Sequence, residues 1–359
     1  MVILRLLHWY AAFYEPGAAR SLAGSSKELI GTPGRFGAGL PAEDVLSDLL
    51  RTIRLTGAVQ FCFMPMGDWE TDAAPSLAKM AEGPSSTIPF HIVVEGTCWM
   101  KMEGVETVLE QGDIVAFPFG TGHQLGAGGG GRLVTPVKDL PPKPWRDLPV
   151  LRYGDRGPQV RLLCGFLQCD AMNFQPLREA LPRLLHVKTH ASADAGWLRA
   201  TIAQIIAEAD SPRTGSLSML ERLTEITFIE LLRHEIATAR SGASGWLAAL
   251  ADPAVGRCLS VIHENPKRAW TLERLTKASA LSRTALGERF EAVLGTSPMR
   301  YVRDWRLYLA SSELSSTAKS VAAIGYDAGY GTEAAFSRAF SRAYGMPPAR
   351  WRKTTKRAA

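Results

Sequence analysis

The sequence has no run of roughly 18 apolar residues, the length a helix needs to cross a bilayer, so nothing in it reads as a helical membrane span. It also lacks paired cysteines. The five present (Cys62, Cys98, Cys164, Cys169 and Cys258) are odd in number, scattered and never spaced as C-x-x-C. That pattern suits reduced thiols in the cytosol better than a disulfide framework or a zinc ribbon. No P-loop, no glycine fingerprint set between a strand and a helix, and no Ser/His/Asp arrangement appears, which removes the commonest catalytic signatures. The apolar start, residues 1–14, has the look of a signal peptide, but His8 interrupts it. Residues 1–40, with Gly31, Gly34, Gly37 and Gly39, carry no pattern and read as a disordered extension.

A large excess of one charge sign is found in one half only. The net charge of the 359 residues is +6. From Ala251 onward there are 18 Lys and Arg against 9 Asp and Glu, a balance of +9, while the remainder holds 23 against 26, a balance of −3. A basic half joined to a near-neutral half is the division expected of a nucleic-acid-binding domain and a sensing domain.

The basic half contains one pattern twice. Leu272 and Leu275 recur as Val321 and Ile324, 49 residues on, and Leu286, Phe290, Gly295 and Pro298 recur as Phe336, Phe340, Gly345 and Pro348, 50 residues on. Each copy reads as two short helices. Apolar residues three apart make a one-sided stripe on the first. Ser282 and Thr332 stand where an N-cap belongs, and the apolar pairs four apart in the second helix face the first. Glycine then stops the helix and proline follows. Two helices joined by a tight turn form a helix-turn-helix, whose second helix can enter a DNA major groove.

The run from Gly329 to Pro348 (GYGTEAAFSRAFSRAYGMPP) resembles the signature of the AraC/XylS regulators, and residues 299–313, with Tyr301, Val302, Trp305 and Leu309, resemble that family's linker helix. Thr276 and Gly325 stand where the family usually has alanine, and Gly331 replaces a larger polar residue. A glycine inside a helix costs about 1 kcal/mol relative to alanine, so the second unit is expected to be the looser one.

In the amino-terminal half, a helix is expected over 42–53 and strands over 58–63, 87–95, 98–102, 106–109, 114–117 and 160–168, with Glu103-Gly104 and Gln111-Gly112 as turns. Residues 126–131 and 140–149 read as connectors. Many short strands imply a sandwich or small barrel. Residues 112–123, GDIVAFPFGTGH, are similar to the second signature of the cupin jelly-roll, which implies that His123 points into the barrel. Metal-binding cupins add two histidines and a glutamate. Here only His91 lies upstream and Val93 replaces its partner, so no metal or other cofactor is expected. From Phe174 the chain is expected to be helical, with amphipathic stretches at 197–209 and 216–239 that either cover the sheet or, as the resemblance implies, pair two subunits.

The expected fold is therefore α+β and multidomain: a cupin-like β jelly-roll with flanking helices, then an all-α double helix-turn-helix. Its parts are the extension 1–40, a sensor with dimerisation helices at 41–240, a linker at 241–252, a DNA-binding domain at 253–353 and a basic tail at 354–359. Base-reading candidates are Arg283, Thr284, Gly287 and Glu288 in the first unit and Thr332, Glu333, Ala334, Ser337 and Arg338 in the second. Arg300, Arg342, Arg350 and Lys353 suit phosphate contacts. His91, His123, Cys62 and Cys164 form the candidate effector pocket. Cys164 occupies a place where the cupin-bearing branch of the family, which includes regulators sensing reactive chlorine, often has cysteine, with Cys62 as its potential partner. The resemblance implies a non-enzymatic, cytoplasmic, homodimeric transcription regulator. Its partners would be double-stranded promoter or operator DNA, RNA polymerase, and a small-molecule or redox effector acting on DNA affinity or activation. The rival is a cupin metalloenzyme of dioxygenase type with a helical appendage.

Overall fold

The computed structural model describes residues 46–47, 50, 55–73, 86–142, 144–190, 195–238 and 245–358. The expected extension 1–40 and most of the helix expected over 42–53 lie outside the described residues.

Among the described residues, short alternating segments separated by turns become eleven strands: β1 Leu55–Pro65, β2 Trp69–Asp72, β3 Ser86–Glu95, β4 Thr97–Met102, β5 Val105–Glu110, β6 Asp113–Ala116, β7 Gln124–Ala127, β8 Arg132–Val134, β9 Val150–Tyr153, β10 Arg161–Cys169 and β11 Leu185–Lys188. They make a six-stranded sheet, ordered β11-β6-β3-β10-β1-β9, and a five-stranded sheet, ordered β5-β4-β7-β2-β8. The β4–β5 hairpin closes through Glu103 and Gly104, both at positive φ, which is the primed two-residue turn whose twist matches its strands.

Two expectations need correction here. Residues 126–131 are not all connector, because Gly126 and Ala127 end β7, where the indole of Trp99 packs so closely on Gly126 that any Cβ would meet the ring at 2.2 Å. Nor is the chain purely helical beyond Phe174: after the short helix α1, Gln175–Ala180, it returns as β11 to pair with β6.

The remaining helices are α2 Gly196–Asp210, α3 Ser216–Thr238, α4 Trp246–Ala251, α5 Pro253–Glu264, α6 Leu272–Ser279, α7 Arg283–Leu294, α8 Pro298–Ser316, α9 Val321–Asp327, α10 Glu333–Tyr344 and α11 Pro348–Ala358. The stretch expected as a linker at 241–252 contains α4, whose Trp246 is fully buried. The stretch expected as a separate tail at 354–359 continues α11, which is fixed by Trp351 donating its Nε1–H to the Ser311 carbonyl at 3.1 Å.

Three apolar cores follow from these faces. One fills the space between the sheets around Phe63, Trp69, Met100, Leu125 and Leu162. A second lies on the other face of the six-stranded sheet, where α3 lays Leu220, Phe228 and Leu231 over it, and runs on without a break into α4–α8. The third belongs to α9–α11 and the end of α8.

Candidate nucleic-acid interface and sensor cavity

In the first helix pair, α6 and α7, the Ser282 hydroxyl accepts from the Ala285 N–H at 3.2 Å. In the second, α9 and α10, Thr332 accepts from Ala335 at 3.1 Å. Gly295 and Gly345 end α7 and α10 in the left-handed region, at φ 61° and 70°. Leu286/Phe290 and Phe336/Phe340 are fully buried, so the opposite face of each second helix is turned outward. Arg283, Thr284 and Glu288 are exposed on α7, and Thr332, Glu333, Ala334 and Arg338 at or on α10. Gly287 and Ser337 are half-buried, and open space surrounds the Gly287 Cα. Arg300, Arg342, Arg350 and Lys353 are exposed as well. Arg300 lies 3.9 Å from Asp304, which partly offsets its charge.

The sequence reading missed what holds the two units to each other. Arg306, on α8, donates Nε–H to the Pro266 carbonyl at 2.8 Å and Nη2–H to the Arg268 carbonyl at 2.7 Å, both just ahead of the first unit. On its other side it crowds Gly329, the turn of the second unit, where a Cβ would lie 2.8 Å from Nη1. Beside it, Lys267 pairs with Asp327 at 2.9 Å, and Lys319 joins Asp327 at 3.1 Å and Glu313 at 2.9 Å. An arginine one residue from Trp305 on the apolar linker helix was the available signal.

Phe174 was missed too. It follows β10 and stands among Trp305 (centroids 5.2 Å), Tyr308 (5.5 Å), Tyr301 (5.8 Å) and Trp246 (6.2 Å). Tyr301 accepts from the Trp246 indole at 2.8 Å and lies 2.7 Å from His263 Nε2, while His263 stacks on Trp305. Burial holds the His263 imidazole down to about 3, so it is neutral and shares one hydrogen bond with the tyrosine hydroxyl.

Between the sheets a cavity of about 130 Å³ is lined by residues of β1, β2, β3, β7 and β10 and by the turn at 135–137. His91, His123 and Cys164 all reach it. His91 and Cys164 are direct partners across β3 and β10, so their side chains share one face. The hydrogen bonds fix a direction. A carbonyl can only accept, so His123 Nδ1–H donates to Thr121 O at 2.9 Å and its Nε2 is left as an acceptor. His91 Nε2–H therefore donates to His123 Nε2 at 2.8 Å, and His91 Nδ1 takes the Cys164 S–H at 3.2 Å. The series runs thiol, imidazole, imidazole, carbonyl, with Phe117 stacked on His123 at 3.7 Å. Burial keeps every member uncharged: His123 is held down to about 4, His91 is pushed well down by burial and by His123, and the Cys164 thiol is raised by burial.

These groups lie in line rather than around a point, and both nitrogens of His91 are used along the line. The donor set thus does not fit the metal that many cupins hold, and among the described residues no three His, Cys, Asp or Glu side chains converge as a metal site. Cys62 is a correction. It sits opposite Leu163, one residue out of step with the Phe61–Cys164 pair, so its thiol faces the other side of the sheet. There it accepts from Arg161 Nε–H at 3.3 Å, outside the cavity, and cannot partner Cys164.

Comparison with known proteins agrees with this division. Residues 44–237 match a family model described as cupin, and residues 275–354 match a helix-turn-helix domain model. An AraC-like transcription regulator of Streptomyces lividans is 29% identical over 321 residues, covering 86% of this chain and 98% of that protein. The chain belongs to the AraC-type transcription regulators with an amino-terminal cupin domain. Within this family, the regulator AlkR of Acinetobacter baylyi is 27% identical over 316 residues, covering 86% of this chain and 99% of that protein. The RCS-specific activator RclR of Escherichia coli is 23% identical over 317, covering 88% and 99%. These relatives are regulators over nearly their whole length, and the cupin-enzyme alternative finds no support among them. Among the described residues no helix is long and apolar enough to cross a membrane.

Proposed function

We propose that this DNA-binding regulator reads a two-part operator with α7 and α10 and that its barrel controls the reading. The observation carrying this is the pair of side-chain-capped helices whose buried faces leave Arg283, Glu288 and Arg338 outward within their first two turns. Arg338 would pair bidentately with guanine, and Arg283 or Glu288 would read bases in the other half. Arg342, Arg350 and Lys353 would hold phosphates. The domain limits proposed are a sensor to about residue 240 and a DNA-binding part from 253. The exposed Trp197 of α2, with Met219 and Ile226 of α3, supports pairing of two chains through these helices in the cytoplasm. RNA polymerase is the second macromolecular partner. The uncharged Cys164–His91–His123 series favours a small-molecule effector over a thiol trigger, because the raised Cys164 holds little reactive thiolate.

An electrophoretic titration tests the assignment. Arg338→Ala is expected to weaken the cognate site by about 1–3 kcal/mol and relax preference at one base pair. Arg342→Ala is expected to weaken all sites alike and shallow the salt slope by about one unit. Unchanged affinity and preference for Arg338→Ala would reject the assignment.

A further inference from the structure

The cavity's lining restricts what it can hold. Three aromatic rings (Phe61, Phe63 and Phe166) supply part of its wall, with Leu125, Leu140 and Val137 beside them. The polar series Cys164–His91–His123–Thr121 is saturated internally: each proton it carries already has an acceptor, so it presents no spare donor to a guest. Among the described residues the lining contains one carboxylate, Asp72, and no lysine or arginine. A carboxylate guest would lose its hydration, find no cation and face a like charge without compensation. Size sets the other limit. An apolar cavity of roughly 150 Å³ accommodates benzene, and this one measures about 130 Å³.

We propose that the barrel binds an uncharged arene of benzene to toluene size, its ring packed edge or face against Phe61, Phe63 and Phe166. The proposal rests on the reading of the barrel as the sensing site and names the chemical class sensed there. The guest reports its presence through the wall it touches, because Cys164 and Phe166 lie on β10, and β10 leads through Asp170–Asn173 to Phe174 among the rings of α4 and α8, whose core continues into the first DNA-binding unit.

The test uses the full chain and three probes of one shape: toluene, benzoate and benzylammonium. Toluene is expected to raise the Tm in a saturable manner, as a ligand of the native state must, and benzoate and benzylammonium to bind at least tenfold more weakly, the second because it would lose its hydration for a single carboxylate, Asp72, that already has a partner. Ala73→Phe, which fills the cavity from its lining, and Val137→Trp, which blocks it from a half-exposed position, are each expected to abolish the toluene shift. The second variant serves if the first fails to fold. No shift with toluene overturns the proposal. So does a shift with either ion as large as with toluene, or a toluene shift that survives in a folded variant. Operator titration with and without toluene separates the two layers: a thermal shift with unaltered operator affinity supports the ligand class and removes the barrel's control over DNA.

Discussion

The two helix-turn-helix units are built from matching residues and set in different surroundings. Leu275, Leu286 and Phe290 of the first belong to a core that continues through Trp246, Tyr301 and Trp305 to Phe174 and the outer face of the barrel sheet. Ile324, Phe336 and Phe340 of the second belong to a separate core with Leu307, Leu314 and Trp351. Their turns differ as well: the first places Ala280 in the left-handed region at φ 58°, the second Gly329 at φ 88°. A non-glycine residue there costs about 1–2 kcal/mol, so the strained turn is in the unit best anchored by packing. A shared motif thus sets the local fold, while its anchorage decides which unit can feel the barrel.

Removing the anchor should have the largest effect. Phe174→Ala is expected to destabilise by about 3–5 kcal/mol, the range for emptying a buried aromatic site. The loss should be uneven: hydrogen exchange should rise in α4–α7 and leave α10 near its original protection. Equal loss of protection in α7 and α10 would mean that the two cores are one.

The next test concerns Gly325. Its sequence position suggests weakness, but the structure shows a tight contact: a Cβ there would meet Phe336 Cβ at 2.9 Å and Cγ at 3.0 Å. Gly325→Ala is expected to gain about 1 kcal/mol of helix propensity and lose about 1–3 kcal/mol to overpacking. The net is a lower Tm, with the disturbance confined to α9 and α10. A higher Tm would show that Phe336 can yield, and the second unit would then be the looser one after all.

How much was legible follows from length and periodicity. The caps Ser282 and Thr332, the apolar pairs four apart and the closing glycines repeat at fixed spacing, and the helices of both units lie where that spacing puts them. Of the strands missed, β2, β7, β9 and β11 have four residues and β8 three, too few for a period of two to register. His91, His123 and Cys164 stand out in the sequence, but their order in series depends on the register of β3 against β10. Cys62 fails for the same reason, since one residue along a strand reverses the face. Phe174 acts through partners distant in sequence, which no local pattern reveals, and Arg306 shows locally only as a charge beside Trp305.

The smallest effect is expected at the polar seam between the units. Lys267 and Asp327 are 62% and 38% exposed, and exposed pairs of this kind contribute little. Asp327 also meets Lys319, and its carboxyl is held below the ordinary value by both lysines. Asp327→Ala should therefore disturb the seam more than Lys267→Ala. In a double-mutant cycle on affinity for a two-part operator, the two changes are expected to couple by less than a factor of about five, with the coupling fading in high salt. On DNA carrying one half-site alone, neither change should matter, since only the distance between α7 and α10 is at stake. Full additivity on the two-part site would leave Arg306 alone as the element fixing that distance.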